Sequence, residues 1–135
     1  MPTKIFVNLP MAELPRSIAF YKAFGFTQNL KFSDNTAACM VISDENYLML
    51  LTHEKFKSFS NAAIPDAHKA TGLMVAVECK NREEVDSKAG AALAQGGSEP
   101  RPPVDMGLMY NRTISDPDGH RLEPFFMDMA AMPQS

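Results

Sequence analysis

Ile114-Ser115-Asp116-Pro117-Asp118-Gly119-His120-Arg121-Leu122-Glu123 is the stretch whose reading decides the fold. It reads as the middle of a β-hairpin. Leu108 to Ser115 makes one strand and His120 to Met127 the next. Asp116-Pro117-Asp118-Gly119 turns the chain between them, because proline fixes one backbone angle, glycine accepts a positive one and aspartate bonds its own backbone. The opening tripeptide also stands earlier, as Ile42-Ser43-Asp44, again ahead of an apolar run, Tyr47 to Thr52. Matching turns ahead of two strands point to an internal repeat.

The neighbouring elements follow the same order twice. Lys4 to Leu9 is a strand that Pro10 stops. Pro15 suits the first turn of a helix whose apolar side is Leu14, Ile18, Tyr21 and Phe24, and Gly25 ends it. Strands are expected at Thr27 to Phe32, Thr36 to Ile42 and Tyr47 to Thr52, with turns at Ser33-Asp34-Asn35 and Asp44-Glu45-Asn46. His53 to Ser60 reads as a helical turn, and Asn61 to Thr71 as a polar linker. Gly72 to Cys79 then reads as a buried strand. Asn81-Arg82-Glu83-Glu84 is a capping box, and Val85, Ala89, Ala92 and Leu93 are the stripe of the helix it opens. Glu99 to Arg101 reads as a weak edge strand before the final hairpin. Met129 to Ser135 reads as a loose tail.

The expectation is one α+β domain over residues 1–135. It holds two tandem βαβββ modules, 1–60 and 72–128, joined by the linker 61–71. Side by side they would make one cupped, eight-stranded mixed sheet with helices on the convex side and a small-molecule pocket on the concave side.

Composition narrows the functional classes. The net charge is −3, with no cluster of Lys and Arg, so no nucleic-acid partner is expected. No apolar run approaches the ~20 residues of a membrane span. Met1-Pro2-Thr3-Lys4 carries no signal-peptide pattern, and Cys39 and Cys79 each stand in an apolar stretch, as thiols do in a reducing compartment. A cytoplasmic location is the expectation. The ten methionines read either as core filler or as an adaptable apolar pocket.

Three segments resemble the glyoxalase / bleomycin-resistance / extradiol-dioxygenase superfamily. Leu14-Pro15-Arg16-Ser17-Ile18-Ala19-Phe20-Tyr21, followed by Gly25-Phe26, is similar to its first-helix pattern, Leu-x-x-Ser-x-x-Phe-Tyr. Asn81 to Asp86 resembles the start of its second helix. Asp116-Pro117-Asp118-Gly119-His120-Arg121-Leu122-Glu123 resembles its C-terminal Asp-Pro-x-Gly-x-x-x-Glu hairpin. Met109-Tyr110-Asn111-Arg112 resembles more narrowly a bacterial subgroup described as predicted lactoylglutathione lyases. The resemblance implies the cupped fold, dimers formed across the cup, and, in metal-using members, His or Glu on the first and last strand of each half. The equivalent places here are Phe6, Met49 or Leu50, Met74 and Glu123, of which only Glu123 is a ligand type. Working metal sites use about three or more protein ligands. No tightly bound divalent metal and no other cofactor is therefore expected, a non-standard site remaining open.

The candidate site follows from these residues. Glu123 is read as a catalytic base in a partly apolar cup, as an inherited ligand, or as the ion-pair partner of Arg112 or Arg121. Tyr110 is the second candidate catalytic residue. Tyr110 and Arg112 share one side of their strand; if that side is the cup, they offer a phenol and a carboxylate-binding fork, and if not they form a surface pair. Asn8, Met49, Met74 and His120 complete the expected substrate-binding set, His120 being read alternatively as a stay of the hairpin. Of the other histidines, His53 would reach the rim and His68 would be solvated. Three functions compete. One is a lyase or isomerase of glyoxalase type acting on a small carbonyl or thiol adduct. Another is a metal-free homodimer that sequesters a small ligand without chemistry, as bleomycin-resistance-like members do. The last is a structural role.

Overall fold

The computed structural model describes residues 2–131. They form two compact units that divide between Asp66 and Ala67, inside the segment read as a linker.

The first unit holds β1 (Ile5–Met11), α1 (Leu14–Phe24), β2 (Thr27–Asn29), a 3-10 turn (Leu30–Phe32), β3 (Ala37–Val41), β4 (Asn46–Thr52) and α2 (His53–Ser60). Its sheet runs β1-β4-β3-β2, with β1 parallel to β4 and the other pairs antiparallel. α1 has Pro15 in its first turn and stops at Gly25, whose φ of 120° suits a residue without a side chain. Leu14, Ser17, Phe20, Tyr21 and Phe24 are the buried side of α1, and Ala38, Met40, Leu48 and Leu50 are buried on the sheet it packs against. Fully burying each large apolar side chain contributes roughly 1.5–3 kcal/mol. The signature Leu14-x-x-Ser17-x-x-Phe20-Tyr21 is thus the packing face of a helix. β2 is shorter than the strand expected to Phe32. Asn29 Oδ1 accepts the Lys31 N–H at 3.0 Å and the Asn29 carbonyl accepts the Ser33 hydroxyl at 2.7 Å, so local bonds replace the ladder.

The second unit holds β5 (Met74–Glu78), α3 (Arg82–Ala94), β6 (Val104–Asp105), β7 (Met109–Asn111), β8 (Ile114–Ser115), β9 (Arg121–Met127) and a 3-10 turn (Met129–Ala131). The order is β5-β9-β7-β6, with β8 also on β9 and β5 parallel to β9. This is the connectivity of the first unit repeated, so the chain is α+β with two sheets of four and five strands. Asn81 caps α3 by accepting the Glu84 N–H at 2.8 Å. Glu84 reaches back to the Lys80 N–H at 2.9 Å, one residue beyond the cap residue that a capping box would satisfy. Val85, Ala89 and Ala92 are buried, as are Ile114 and Leu122 on the sheet.

Several sequence expectations need correction here. Glu99 to Arg101 is not a strand; Ser98 makes one bridge to Ser115, and the edge strand is β6 instead. β5 is not buried: Met74, Ala76 and Glu78 are exposed and Val75 and Val77 partly so. The strand expected from Leu108 to Ser115 is divided into β7 and β8, yet its register against β9 is the same on both sides of the gap. Arg112 therefore stands opposite Pro124, to whose carbonyl its N–H donates at 3.2 Å, and Thr113 opposite Glu123. The gap falls where Pro124 has no N–H to return. The Ile-Ser-Asp match is not at equivalent positions. The Ile42 N–H donates to the Asn46 carbonyl at 2.9 Å, and the Asp116 N–H to that of His120 at 2.8 Å. Ile42 thus corresponds to Asp116, and the second tripeptide lies two residues ahead of the first. The repeat resides in the strand order. Of the segment read as a tail, Met129–Ala131 form the 3-10 turn and 132–135 lie outside the described residues. Among the described residues, no helix is long and apolar enough to cross a membrane.

Candidate functional site

The last hairpin is held by Asp116. Its carboxylate is buried and Oδ1 accepts the N–H groups of Asp118 and His120, both at 2.9 Å. Gly119 closes the turn with φ +92°, and the backbone of Ala67 and His68 crosses directly over it. The Asp-Pro-x-Gly part of this motif is therefore structural, and it sets the phase of β9. His120 lies at the hairpin end with its N–H bonded to Asp116. Arg121 and Glu123 then share one face of the strand, and Leu122 and Pro124 the other.

Register carries that assignment across the sheet. On the face of Glu123 lie Ala76 of β5 and Thr113, whose hydroxyl donates to Glu123 Oε2 at 3.4 Å. Arg121 is flanked on the same face by Met74 and Ser115. Phe125 continues it, beside Glu78 and Asn111. Met74 is 51% exposed and Arg121, Glu123 and Phe125 are partly buried.

Tyr110 and Arg112 lie on the opposite face, toward α3. The Tyr110 hydroxyl donates to Asp86 Oδ1 at 2.6 Å, and the bond to that carboxylate raises the phenol above its ordinary range. Arg112 grips Glu99 through Nε and Nη2, both at 3.0 Å, and reaches Asp86 at 3.1 Å. Glu99 above all holds its guanidinium charged. The Arg82 guanidinium, bound to Asp105 at 2.8 and 3.0 Å, lies over the Tyr110 ring at 5.2 Å. The expected partnership of Tyr110 and Arg112 with Glu123 is therefore not formed, because register turns them to the helix side. Thr113, which sequence reasoning missed, takes their place. Counting equal numbers of residues back and forward from the apex at Asp118 would have found it.

In the first unit the corresponding row is Asn8, Met49 and Cys39, which are register partners across β1, β4 and β3. Asn8 is exposed and Met49 partly buried. Leu50 lies on the opposite face of β4 and is buried, so Met49 is the residue on this row. Burial pushes the Cys39 thiol above its ordinary range. Phe6 stacks on Tyr47 with centroids 4.6 Å apart. Among the described residues, no group of three or more His, Cys, Asp and Glu is placed to hold a metal ion.

The family model of the Glyoxalase/Bleomycin resistance protein/Dioxygenase superfamily matches residues 6–123. The chain belongs to that superfamily. No curated protein gives a match. Among solved structures, a hypothetical protein of S. aureus is similar at 22% identity, with 93% of this chain and 94% of that one covered and a TM-score of 0.79. A glyoxalase/bleomycin resistance protein/dioxygenase family enzyme of Burkholderia phytofirmans PsJN is similar at 17% identity, 90% and 96% coverage and a TM-score of 0.74. The bleomycin resistance determinant encoded on the transposon Tn5 is similar at 16% identity, 95% and 100% coverage and a TM-score of 0.64. These likenesses establish a shared fold. The ligand places expected from the resemblance hold Phe6, Met49, Met74 and Glu123 in this chain. Register pairs Phe6 with Tyr47 and Met74 with Arg121, at matching distances from the two hairpin turns.

Proposed function

We propose that this superfamily member binds a small amphipathic molecule through the Glu123 face of its second sheet and does so without a metal. The observation that carries the reading is the chemistry of the four ligand places. Phe6 offers none, Met49 and Met74 offer thioethers that suit soft ions alone, and Glu123 is a single carboxylate. Thr113 and Glu123 supply polar contacts on that face, and Met74, Ala76 and Phe125 supply apolar surface. A homodimer in the cytoplasm belongs to the same reading, through the resemblance to dimeric relatives and the two unpaired thiols.

The lyase reading has less support. It asks Glu123 to remove a proton while a neighbouring donor holds the developing oxyanion. Tyr110 and Arg112, the expected donors, are engaged with Asp86 and Glu99 on the other face.

A thermal-shift panel of small amphipathic molecules, run with EDTA and with added zinc, nickel or iron, tests the proposal. Metal-independent stabilisation is expected, reaching about 2.7 kcal/mol at 100 times the dissociation constant. Glu123→Gln should weaken binding tenfold or more and move the melting temperature by only a few degrees, since a long hydrogen bond contributes about 1 kcal/mol. Stoichiometric metal in the purified protein, lost in Glu123→Gln, would sink the reading.

A further inference from the structure

We infer that the Glu123 face takes a zwitterionic, amino-acid-like molecule, with its ammonium group on Glu123 and its carboxylate on Arg121. The inference rests on the proposed binding reading of that face.

Its basis is an asymmetry in how the charges of the second unit are used. On the α3 side they are matched: Arg82 pairs with Asp105, and Arg112 with Glu99 and Asp86. On the other side Glu78 is exposed at the far end of the face, while Arg121 and Glu123 are both partly buried and two residues apart on β9, yet form no ion pair with each other. Among the described residues the Arg121 side chain has no hydrogen-bond or ion-pair partner. The Glu123 carboxylate has one long bond, from Thr113 at 3.4 Å, and an ionised carboxylate can accept about four.

Two opposite charges held apart on one face favour a ligand that carries both. A ligand with one charge would cover the second protein charge and leave it unmatched, which is unfavourable. The Cα atoms of Arg121 and Glu123 are about 7 Å apart along the strand. A carboxylate and an ammonium separated by one or two carbons fit between a guanidinium fork and a carboxylate at that spacing. The guanidinium can grip a carboxylate through two parallel bonds. Met74 beside Arg121, and Phe125 next along β9, offer apolar surface to the rest of the molecule.

L-leucine, N-acetyl-L-leucine and L-leucinamide are the probes, followed by backbone-amide chemical shifts and calorimetry on the full chain. L-leucine should shift the amides of Thr113, Arg121 and Glu123, and each blocked analogue should bind at least tenfold more weakly. Glu123→Gln should erase the preference over N-acetyl-L-leucine. Arg121→Met should erase the preference over L-leucinamide, and Arg121→Lys should restore part of it. The inference is overturned if the blocked analogues bind these amides as tightly as L-leucine, in which case the face still binds small molecules. It is overturned as well if none of the three probes shifts those amides; Glu123-dependent hits in the thermal-shift panel would then show that only the ligand class was wrong.

Discussion

Gly119→Ala should be among the most damaging single substitutions in this chain, and two other glycines supply its controls. Gly119, Gly96 and Gly107 all have positive φ, at 92°, 93° and 81°. An alanine at any of them suffers the left-handed penalty of roughly 1–2 kcal/mol. At Gly107 that is the whole cost, because no atom lies within 4 Å of the added Cβ. At Gly96 the nearest atom is Pro117 Cγ at 3.6 Å, an ordinary contact. At Gly119 the Cβ would stand 2.7 Å from the His68 backbone nitrogen and 2.8 Å from the Ala67 carbonyl carbon. Backbone cannot rotate out of the way as a side chain can, so the 67–68 segment must move. Overpacking of this kind adds about 1–3 kcal/mol. The sum is roughly 2–5 kcal/mol against 1–2 for the controls, or about 8–20 °C in melting temperature against 4–8 °C for a domain near this size. Thermal and urea melts of the three variants by circular dichroism make the comparison. If Gly119→Ala lost no more than Gly107→Ala, the close approach of the 67–68 segment to the hairpin would be refuted.

Arg112→Met should cost about 2 kcal/mol by urea titration, between an exposed ion pair and a buried one, since the arginine and Glu99 side chains are only 17% and 22% exposed; a tenfold loss of ligand affinity in the same variant would return Arg112 to the binding site. Cys79 should resist thiol reagents in the native state at pH 8 and react once unfolded, because burial, and Glu84 after it, pushes its pKa from 9.0 to about 11. The folded state then keeps that proton while the unfolded state releases it, so stability should fall as pH rises from about 9 to about 11; a Cys79→Ala variant with the same pH slope would show the loss to come from elsewhere. Light scattering at micromolar concentration should give twice the 14.9 kDa chain mass, and a monomer would remove the dimer from the proposal.

The two halves and most of their elements were legible because they depend on local chemistry. Pro15 and Gly25 bound α1, Asn81 opens α3, and Asp116 to Gly119 turn the last hairpin, each through bonds within a few residues. Elements whose limits depend on a partner strand were not. β2 stops early because Asn29 and Ser33 offer a nearer bond, and β5 is exposed although its sequence, Met74-Val75-Ala76-Val77, is nearly continuous in apolar residues. Apart from Arg121 and Glu123 at the end of the last one, the three segments carrying the family resemblance are chiefly packing, capping and turning residues. They report the fold reliably for the same reason that they say little of the chemistry: Phe20, Tyr21 and Asp116 are buried, and Asn81 and Gly119 serve the backbone.

The proposed binding face was legible in one residue and not in its company. Glu123 stood out as a carboxylate within an apolar run, and alternation placed Arg121 beside it. Alternation also placed Tyr110 and Arg112 together, and both pairings hold. What a single strand's periodicity cannot give is the phase between two strands, since a shift of one residue moves every side chain to the other face. Here the phase is set at Asp118, the apex of a turn that Asp116 and Gly119 hold in one form. From that apex Thr113 falls opposite Glu123 and Arg112 opposite Pro124. One strand pair thus separates two kinds of arginine. Arg112 has two carboxylates and serves the α3 side of the unit. Arg121 has none among the described residues and shares its face with Glu123, which is why the proposal gives Arg121, and not Arg112, to the ligand.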